Sequence, residues 1–283
     1  MVENLKTETL ESYEQEEQSG VCAKILTVYN TSKELEDSKV DTAILPVGSI
    51  EQHGPHLPLG TDWIIVQEIA KRLAEKLGNC YLLPAIPYSN SQEHLGFCGT
   101  VSIRPSTLAK MIRDIVLSLY LHDIKKIIII SGHGGNWIIK PTIRELNLEY
   151  PDLKIIHGRP MGEKPLDIHA GNSETSCILH INEELVKIDK IVDCTPDVTQ
   201  EYIDYVGMKA ISKHGPWGLA SQASKENGEK LLKTRADRIF QYVKETFSKL
   251  EELERVSPRK SIIPKPFKTD KSAKKTKLTE HKR

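Results

Sequence analysis

Residues 126–136 have the sequence KIIIISGHGGN, in which a run of isoleucines ends abruptly at a glycine-rich segment. A continuous apolar run of this length is typical of a parallel strand that is buried on both faces, and the glycines favour a loop before a following helix. His133 therefore follows the carboxyl end of a strand. In open α/β sheets, that edge is where ligands and catalytic groups gather.

The same order of strand and helix extends to both sides of this segment. Further strands are predicted at residues 42–47, 81–83 and 154–157. Helices are predicted at residues 63–77, 106–119, 140–149 and 229–254. This βαβ order predicts a three-layer α/β/α domain with a mostly parallel central sheet.

A second polar segment follows the predicted strand at 42–47. Residues 48–62 read GSIEQHGPHLPLGTD and place Glu51, His53 and Asp62 on one short loop. Imidazole and carboxylate groups are ligands of Zn and Mn, so the loop fits one half of a metal site. Taken alone, the three residues fit an ordinary polar surface turn equally well.

A third cluster, HAGNSETS at residues 169–176, begins a stretch that is compatible with a helix. It places His169 and Glu174 just before or within the first turns. A single histidine is more often a hydrogen-bonded packing residue than a ligand. Three separate clusters, each with a histidine and polar neighbours, favour a functional site over a surface turn.

Together these motifs resemble the creatininase (creatinine amidohydrolase) family. The resemblance rests on GSIEQHGPHLP at 48–58 with Thr61 and Asp62, GHGGN at 132–136, and HAG at 169–171 followed by Glu174-Thr175-Ser176. It runs from about residue 40 to about residue 228, in the family order. EHLGFCGT at 93–100 is similar to the family's substrate-side loop, and GPWG at 215–218 is similar to a later loop.

The resemblance implies a hydrolase of non-peptide C–N bonds with two divalent metal ions per chain, of Zn, Mn or Fe. Glu51 and His133 would hold one ion, His53 and Glu174 the other, and Asp62 would bridge them. Two such ions can share a water, lower its pKa and polarise an amide carbonyl, so the nucleophile would be a bridging hydroxide.

His169 matches the family's histidine that carries a proton to the departing nitrogen. An imidazole that titrates near neutral pH suits this task, because an amine leaves poorly until it is protonated. The resemblance also implies a set of substrate-binding residues, namely Ser91, Glu93, His94, Gly134 and Trp217.

Two departures from creatininase itself narrow the substrate. Creatininase has an acidic residue where this chain has Gly135, and a tryptophan within the segment that matches residues 163–167. The partners for a flat creatinine ring are therefore missing. Relatives with the GHGGN form act on other amides, including a ribosylaminopyrimidine formamide of flavin and deazaflavin synthesis. A peptidase of mycofactocin type and a catalytically silent binding protein are the alternatives. The second-metal carboxylate is assigned to Glu174, although relatives commonly carry Glu at the position of Asn172.

Composition sets the remaining expectations. We expect a polar extension at residues 1–30, one hydrolase domain at 31–256, and a disordered basic tail at 257–283, which has ten Lys or Arg against two acids. One phenylalanine in that tail offers no stacking platform, which argues against nucleic-acid binding. No apolar run is long enough for a membrane span, the start lacks the order of a signal peptide, and the five cysteines form no close pair. These features predict a cytoplasmic protein, and the family resemblance predicts a homo-oligomer, specifically a hexamer.

Overall fold

The sheet and its helices are seen in a computed structural model that describes residues 25–158 and 167–261. The predictions for residues 1–24 (with Cys22), for 163–166 and for the tail from residue 262 onward lie outside the described residues.

Five strands form one sheet in the order β1-β3-β2-β4-β5. The strands are β1 (Ile25–Leu26), β2 (Thr42–Val47), β3 (Cys80–Leu82), β4 (Lys126–Ser131) and β5 (Lys154–Gly158). All four neighbouring pairs are parallel. The central pair, β2 and β4, is in register from Thr42 opposite Lys126 to Val47 opposite Ser131. The two strands therefore end side by side.

The central strands are apolar throughout because both faces of the sheet are covered. Successive side chains of a strand point to opposite faces. Accordingly, Ile128 and Ile130 lie in one core cluster while Ile127 and Ile129 lie in the other, and all four are fully buried.

Eight α-helices are seen among the described residues. They are α1 (Ser32–Ser38), α2 (Thr61–Leu77), α3 (Pro105–Tyr120), α4 (Ile139–Glu149), α5 (Asn172–Ile181), α6 (Ile203–Val206), α7 (Met208–Ile211) and α8 (Lys225–Val256). Buried residues of α2, α5 and α8 fill the core on one face of the sheet, and those of α3 and α4 fill the core on the other. No helix in the described ranges is both long and apolar enough to cross a membrane.

The predicted three-layer fold is confirmed, and the predicted strands and helices are found with bounds that differ by a few residues. Two boundaries differ because of specific contacts. Strand β1 lies within residues 1–30, where a polar extension was predicted, because Leu26 is buried in the core and β1 pairs with β3. At the other end, Arg259 donates to the carbonyl oxygens of Asn147 and Leu153, so the start of the predicted tail is attached to the domain.

Candidate metal centre

The polar loops after β2 and β4 meet at the carboxyl edge of the sheet. Because Val47 and Ser131 end paired strands, the segments that carry Glu51 and His133 begin next to each other. The first loop is held closed by the Glu51 N–H, which donates to the Leu59 carbonyl oxygen at 2.9 Å. Gly48 permits the close approach of helix α2, since a Cβ there would lie 2.5 Å from the Cα of Trp63.

Asp62 lies in the first turn of α2 rather than on the loop where the sequence placed it. A carboxylate is favoured at a helix amino terminus by the helix dipole. The helix also fixes the direction of the side chain, which is almost completely buried. The carboxylate of Asp62 therefore reaches the histidines of both loops from a rigid element.

One half of the centre is formed around the imidazole of His133. Its Nδ1 lies 3.1 Å from Oε2 of Glu51 and 3.3 Å from Oδ2 of Asp62. On the opposite side of the ring, Nε2 lies 2.9 Å from the carbonyl oxygen of Asn90. A carbonyl oxygen only accepts, so the proton of the neutral ring belongs on Nε2 and the lone pair of Nδ1 faces the two carboxylates.

The other half is formed around His53. Its Nε2 lies 3.4 Å from Oδ1 of Asp62 and 3.6 Å from Oε2 of Glu174. Its Nδ1 lies 3.1 Å from the carbonyl oxygen of Glu51, which again directs the Nε2 lone pair of the neutral ring to the carboxylates. The two oxygens of Asp62 thus face two different histidines.

Glu174, and not Asn172, lies at this half of the centre. The Ala170 N–H donates to Glu174 Oε2 at 2.6 Å and holds the carboxylate beside His53. The side chain of Asn172 points toward helix α8, where its oxygen accepts from Asn227 at 2.7 Å. Asn172 is therefore used in packing α5 against α8.

The histidines and carboxylates of this cluster shift one another's pKa values. Burial disfavours the charged imidazole, but Asp62 and Glu174 outweigh it and raise the pKa of His53 to about 10. Burial also lowers the pKa of His133, but Glu51 and Asp62 outweigh this effect and hold the pKa well above its usual value. Although burial raises the pKa of Asp62, the two histidines hold it far below its usual range. The centre therefore attracts positive charge.

Three atoms of this cluster are buried and have no hydrogen-bond partner: Glu51 Oε1, His53 Nε2 and Asp62 Oδ2. A buried polar atom without a partner costs free energy, and native structures nearly always avoid it. These atoms belong to imidazole and carboxylate groups that converge on one space. That donor set fits divalent metal ions such as Zn, Mn or Fe.

His169 lies at the edge of the same space. Its Nδ1 is 3.6 Å from Oε1 of Glu51, and its ring centroid is 4.4 Å from that of His53. Burial, reinforced by nearby His53 and His94, holds the pKa of His169 well below its usual value, so the ring is neutral at neutral pH. His169 also belongs to two groups of three residues that could hold a metal ion, because their ligand atoms all lie within 4.8 Å of one another. These groups are Glu51-His94-His169 and His53-His169-Glu174. Position alone thus allows His169 to be a ligand or a proton carrier.

The residues predicted to bind substrate have different positions. Glu93 lies 3.3 Å from His133 Nε2, and His94 lies 3.4 Å from Glu51 Oε1. Ser91 is fully buried, and its hydroxyl is hydrogen-bonded to that of Ser49 and lies 3.4 Å from His133 Nε2. Trp217 is also buried, and its backbone pairs with that of His169. A Cβ at Gly134 would meet nothing within 4 Å, so this backbone is open. Substrate binding by these residues stays a prediction.

Sequence reasoning missed Gln52, which lies between two predicted ligands. Its side-chain amide nitrogen is 2.8 Å from His94 Nδ1 and 2.9 Å from His169 Nε2. The side chain is almost fully buried. A glutamine between Glu51 and His53 was the available signal, but nothing in the sequence indicates which way its amide points.

Comparisons with known proteins agree with the motifs. The family model described as Creatininase (creatinine amidohydrolase) matches residues 29–243. The mycofactocin precursor peptide peptidase of Mycolicibacterium smegmatis is 34% identical over 72% of this chain and 84% of its own length. The creatinine amidohydrolase of Pseudomonas putida is 29% identical over 72% of this chain and 89% of its own length.

Two further proteins extend the comparison. A formylamino-ribosylaminopyrimidinone monophosphate deformylase of Methanococcus maripaludis is 29% identical over 68% of this chain and 81% of its own length. Among solved structures, one of creatininase with Mn superposes with a TM-score of 0.69 at 26% identity, covering 79% of this chain and 99% of that one.

Proposed function

The chain belongs to the creatininase family, and we propose that it is a hydrolase that cleaves the amide C–N bond of a small molecule with two divalent metal ions. Glu51 and His133 would hold one ion, and His53 and Glu174 the other. Asp62 would bridge the two. The family membership supports hydrolysis, and the arrangement of the side chains supports this division of ligands.

The observation that carries the proposal is the position of the Asp62 carboxylate. Oδ2 lies 3.3 Å from Nδ1 of His133, and Oδ1 lies 3.4 Å from Nε2 of His53. The histidine nitrogen that faces Asp62 has one further carboxylate beside it in each case, Glu51 at His133 Nδ1 and Glu174 at His53 Nε2. A single ion would need only one such set. Two sets that share one carboxylate are the arrangement expected for a two-metal site.

When bound, two divalent ions lower the pKa of a water and polarise the amide carbonyl. The chain supplies the other requirements. His133 and His53 are each oriented by a backbone carbonyl at the ring nitrogen that faces away from the carboxylates. Such partners fix a ligand's direction and are worth about 10- to 100-fold in metal affinity.

His169 is proposed as the group that moves the proton. The bare nitrogen of its neutral ring can first accept a proton from the attacking water and then donate it to the departing nitrogen. Its Nδ1 faces the carboxylate of Glu51, so the ring lies beside the proposed reaction space. This assignment needs no Ser or Cys nucleophile.

For the substrate, we favour a small amide or formamide over creatinine. Gly135 lacks the acidic side chain of creatininase, and the space for one is filled, since a Cβ there would lie 2.2 Å from Oε1 of Glu93. The likeness to the deformylase supports a formamide. A short peptide is the second candidate, because the M. smegmatis peptidase is 34% identical to this chain.

The test is hydrolysis of a panel of formamides, cyclic amides and short peptides by protein loaded with Zn, Mn or Fe, together with elemental analysis. Two metal equivalents per chain and release of an amine or formate are expected. Asp62→Ala should lose metal from both positions and should be inactive. Full retention of two metal equivalents in Asp62→Ala would refute the bridging role of Asp62. Turnover of peptides alone would show that the substrate is a short peptide and not a small amide.

A further inference from the structure

The side chain of Gln52 is fixed between the two histidines at the edge of the centre. Its Oε1 accepts from the N–H of Gly54 at 3.0 Å, so the amide oxygen and nitrogen are distinguished. The nitrogen is thereby directed at His94 Nδ1, 2.8 Å away. An amide nitrogen donates and does not accept, and His94 Nδ1 must therefore carry a lone pair.

This donor determines the proton position on His94. A neutral imidazole has one protonated and one bare nitrogen. With Nδ1 bare, the proton is on Nε2, which lies 3.4 Å from Oε1 of Glu51. His94 consequently presents an N–H to the Glu51 carboxylate. It offers no lone pair there, although Glu51, His94 and His169 lie close enough together to hold an ion.

The backbone of Gln52 determines the proton position on His169. Its carbonyl oxygen lies 2.7 Å from His169 Nε2, and this contact is favourable only if Nε2 carries the proton. A bare Nε2 would accept from the Gln52 amide at 2.9 Å, but its lone pair would then face the carbonyl lone pairs at a shorter distance. The second amide proton has another acceptor, the Gly215 carbonyl oxygen at 3.3 Å.

We propose that Gln52 is a positioning residue that sets both histidines as Nε2–H tautomers, His94 through its side-chain amide and His169 through its backbone carbonyl. His169 then carries its lone pair on Nδ1, facing Glu51, and Nδ1 is the atom that takes and gives the proton. His94 turns an N–H, and not a lone pair, toward the Glu51 carboxylate and is therefore not a metal ligand. The roles in the reaction rest on the proposed function, whereas the tautomers do not.

Gly215 makes room for this arrangement. Its φ is +101°, a conformation that residues with a side chain rarely adopt. A Cβ at this position would lie 1.8 Å from Oε1 of Gln52. The GPWG segment contains none of the proposed metal ligands. Its first glycine instead allows the backbone to pack closely against the side-chain amide of Gln52.

The tautomers can be measured directly. Long-range ¹⁵N–¹H correlation spectra of the full chain with labelled histidines distinguish Nε2–H from Nδ1–H rings, and His94→Asn and His169→Asn identify the two signals. The spectra should be recorded for metal-free protein and for protein loaded with Zn. We expect both rings as Nε2–H in both states. An Nδ1–H signal from either ring in the wild-type protein would overturn the proposal, whether or not any substrate is found.

Gln52→Glu tests the cause. The carboxylate keeps the shape but replaces the donor with an acceptor, so His94 should change to the Nδ1–H form while His169, held by the backbone, keeps its proton on Nε2. Gln241→Glu, at an exposed position of α8, is the matched control and should change neither ring. An unchanged His94 in folded Gln52→Glu would refute control by the side chain. If Gln52→Glu does not fold, the wild-type spectra still show which tautomers the two rings adopt. Gln52→Met, which lacks the amide donor, then tests whether the side chain of Gln52 sets the tautomer of His94.

Discussion

At the scale of single residues, two neighbouring glycines of the GHGGN segment have different surroundings. A Cβ at Gly135 would lie 2.2 Å from Oε1 of Glu93 and 2.4 Å from Nε2 of His133, whereas a Cβ at Gly134 would meet nothing within 4 Å. Gly135→Ala should therefore displace His133 and weaken metal binding by about 10-fold or more, as expected when a ligand loses its support. Metal titration of Gly135→Ala beside Gly134→Ala checks this, and equal affinities would contradict it.

His169 provides the second prediction at this scale, because its position allows two roles. If it moves the proton, His169→Ala should keep both metals and lose turnover by about 10²- to 10⁴-fold. A substrate whose departing nitrogen is a weaker base needs the proton less and should partly restore the rate. Elemental analysis and turnover of both kinds of substrate are the measurements. Loss of metal would instead make His169 a ligand.

The sequence indicated which side chains converge at the candidate centre better than it indicated how they are arranged. Glu51, His53 and His133 could be identified because their types and spacing, and the strand before each loop, are local features. The tautomers set by Gln52 could not, since they depend on contacts 42 and 117 residues away along the chain. The crowding at Gly135 depends in the same way on the position of Glu93.

At the scale of elements, helix α5 carries Glu174 and its place is fixed by close packing against α8. A Cβ at Gly228, in the first turn of α8, would lie 2.0 Å from the carbonyl oxygen of Ser176. Alanine normally stabilises a helix relative to glycine by about 1 kcal/mol. Here Gly228→Ala should lower the free energy of unfolding by about 1–3 kcal/mol, because the helices must separate.

Urea unfolding measures this change, and Glu229→Ala, exposed on the same helix, is the control and should be close to wild type. Because α5 would move, Gly228→Ala should also weaken metal binding at the half of the centre that contains Glu174. If Gly228→Ala were more stable than the wild type, helices α5 and α8 could accommodate the extra methyl group without moving apart.

Elements with apolar periodicity were predicted well, and elements without it were missed. The bounds of β2 match the prediction because its apolar run ends at a glycine. Helix α1 has no buried residue and so gives no amphipathic pattern. It is stabilised by a capping box, in which Thr31 and Glu34 each bond to the other's backbone N–H. The attachment of Arg259 to the domain was missed for a similar reason, since its acceptors are backbone carbonyls that the sequence does not display.

At the scale of the whole molecule, assembly stays a prediction. The family resemblance predicts a homo-oligomer, specifically a hexamer, and several large apolar side chains are exposed on the described surface, among them Tyr29, Trp137 and Tyr205. Single exposed apolar residues are common on monomers, so the expectation rests on the family resemblance. Light scattering should give a mass several times the 31.9 kDa of one chain. A stable, active monomer would contradict the expectation.

Metal binding should stabilise the folded protein more strongly as the pH rises. In the metal-free protein the pKa of His53 is raised to about 10, so this ring is charged at neutral pH and must lose its proton to bind a metal. The raised pKa stabilises the metal-free fold fully below about pH 6.5, and this contribution declines as the pH rises toward 10. Over the same range, fewer protons compete with the metal. Both effects increase the rise in Tm that Zn produces.

The measurement is the Tm with and without Zn at pH 6.5 and at pH 8. The rise should be larger at the higher pH in the wild-type protein and largely absent in Asp62→Ala, which lacks the shared carboxylate. His122→Gln changes an exposed histidine at the opposite end of β4 and should behave as wild type. A rise that is equal at both pH values would show that no proton is displaced from the centre when Zn binds, and that His53 is not among its ligands.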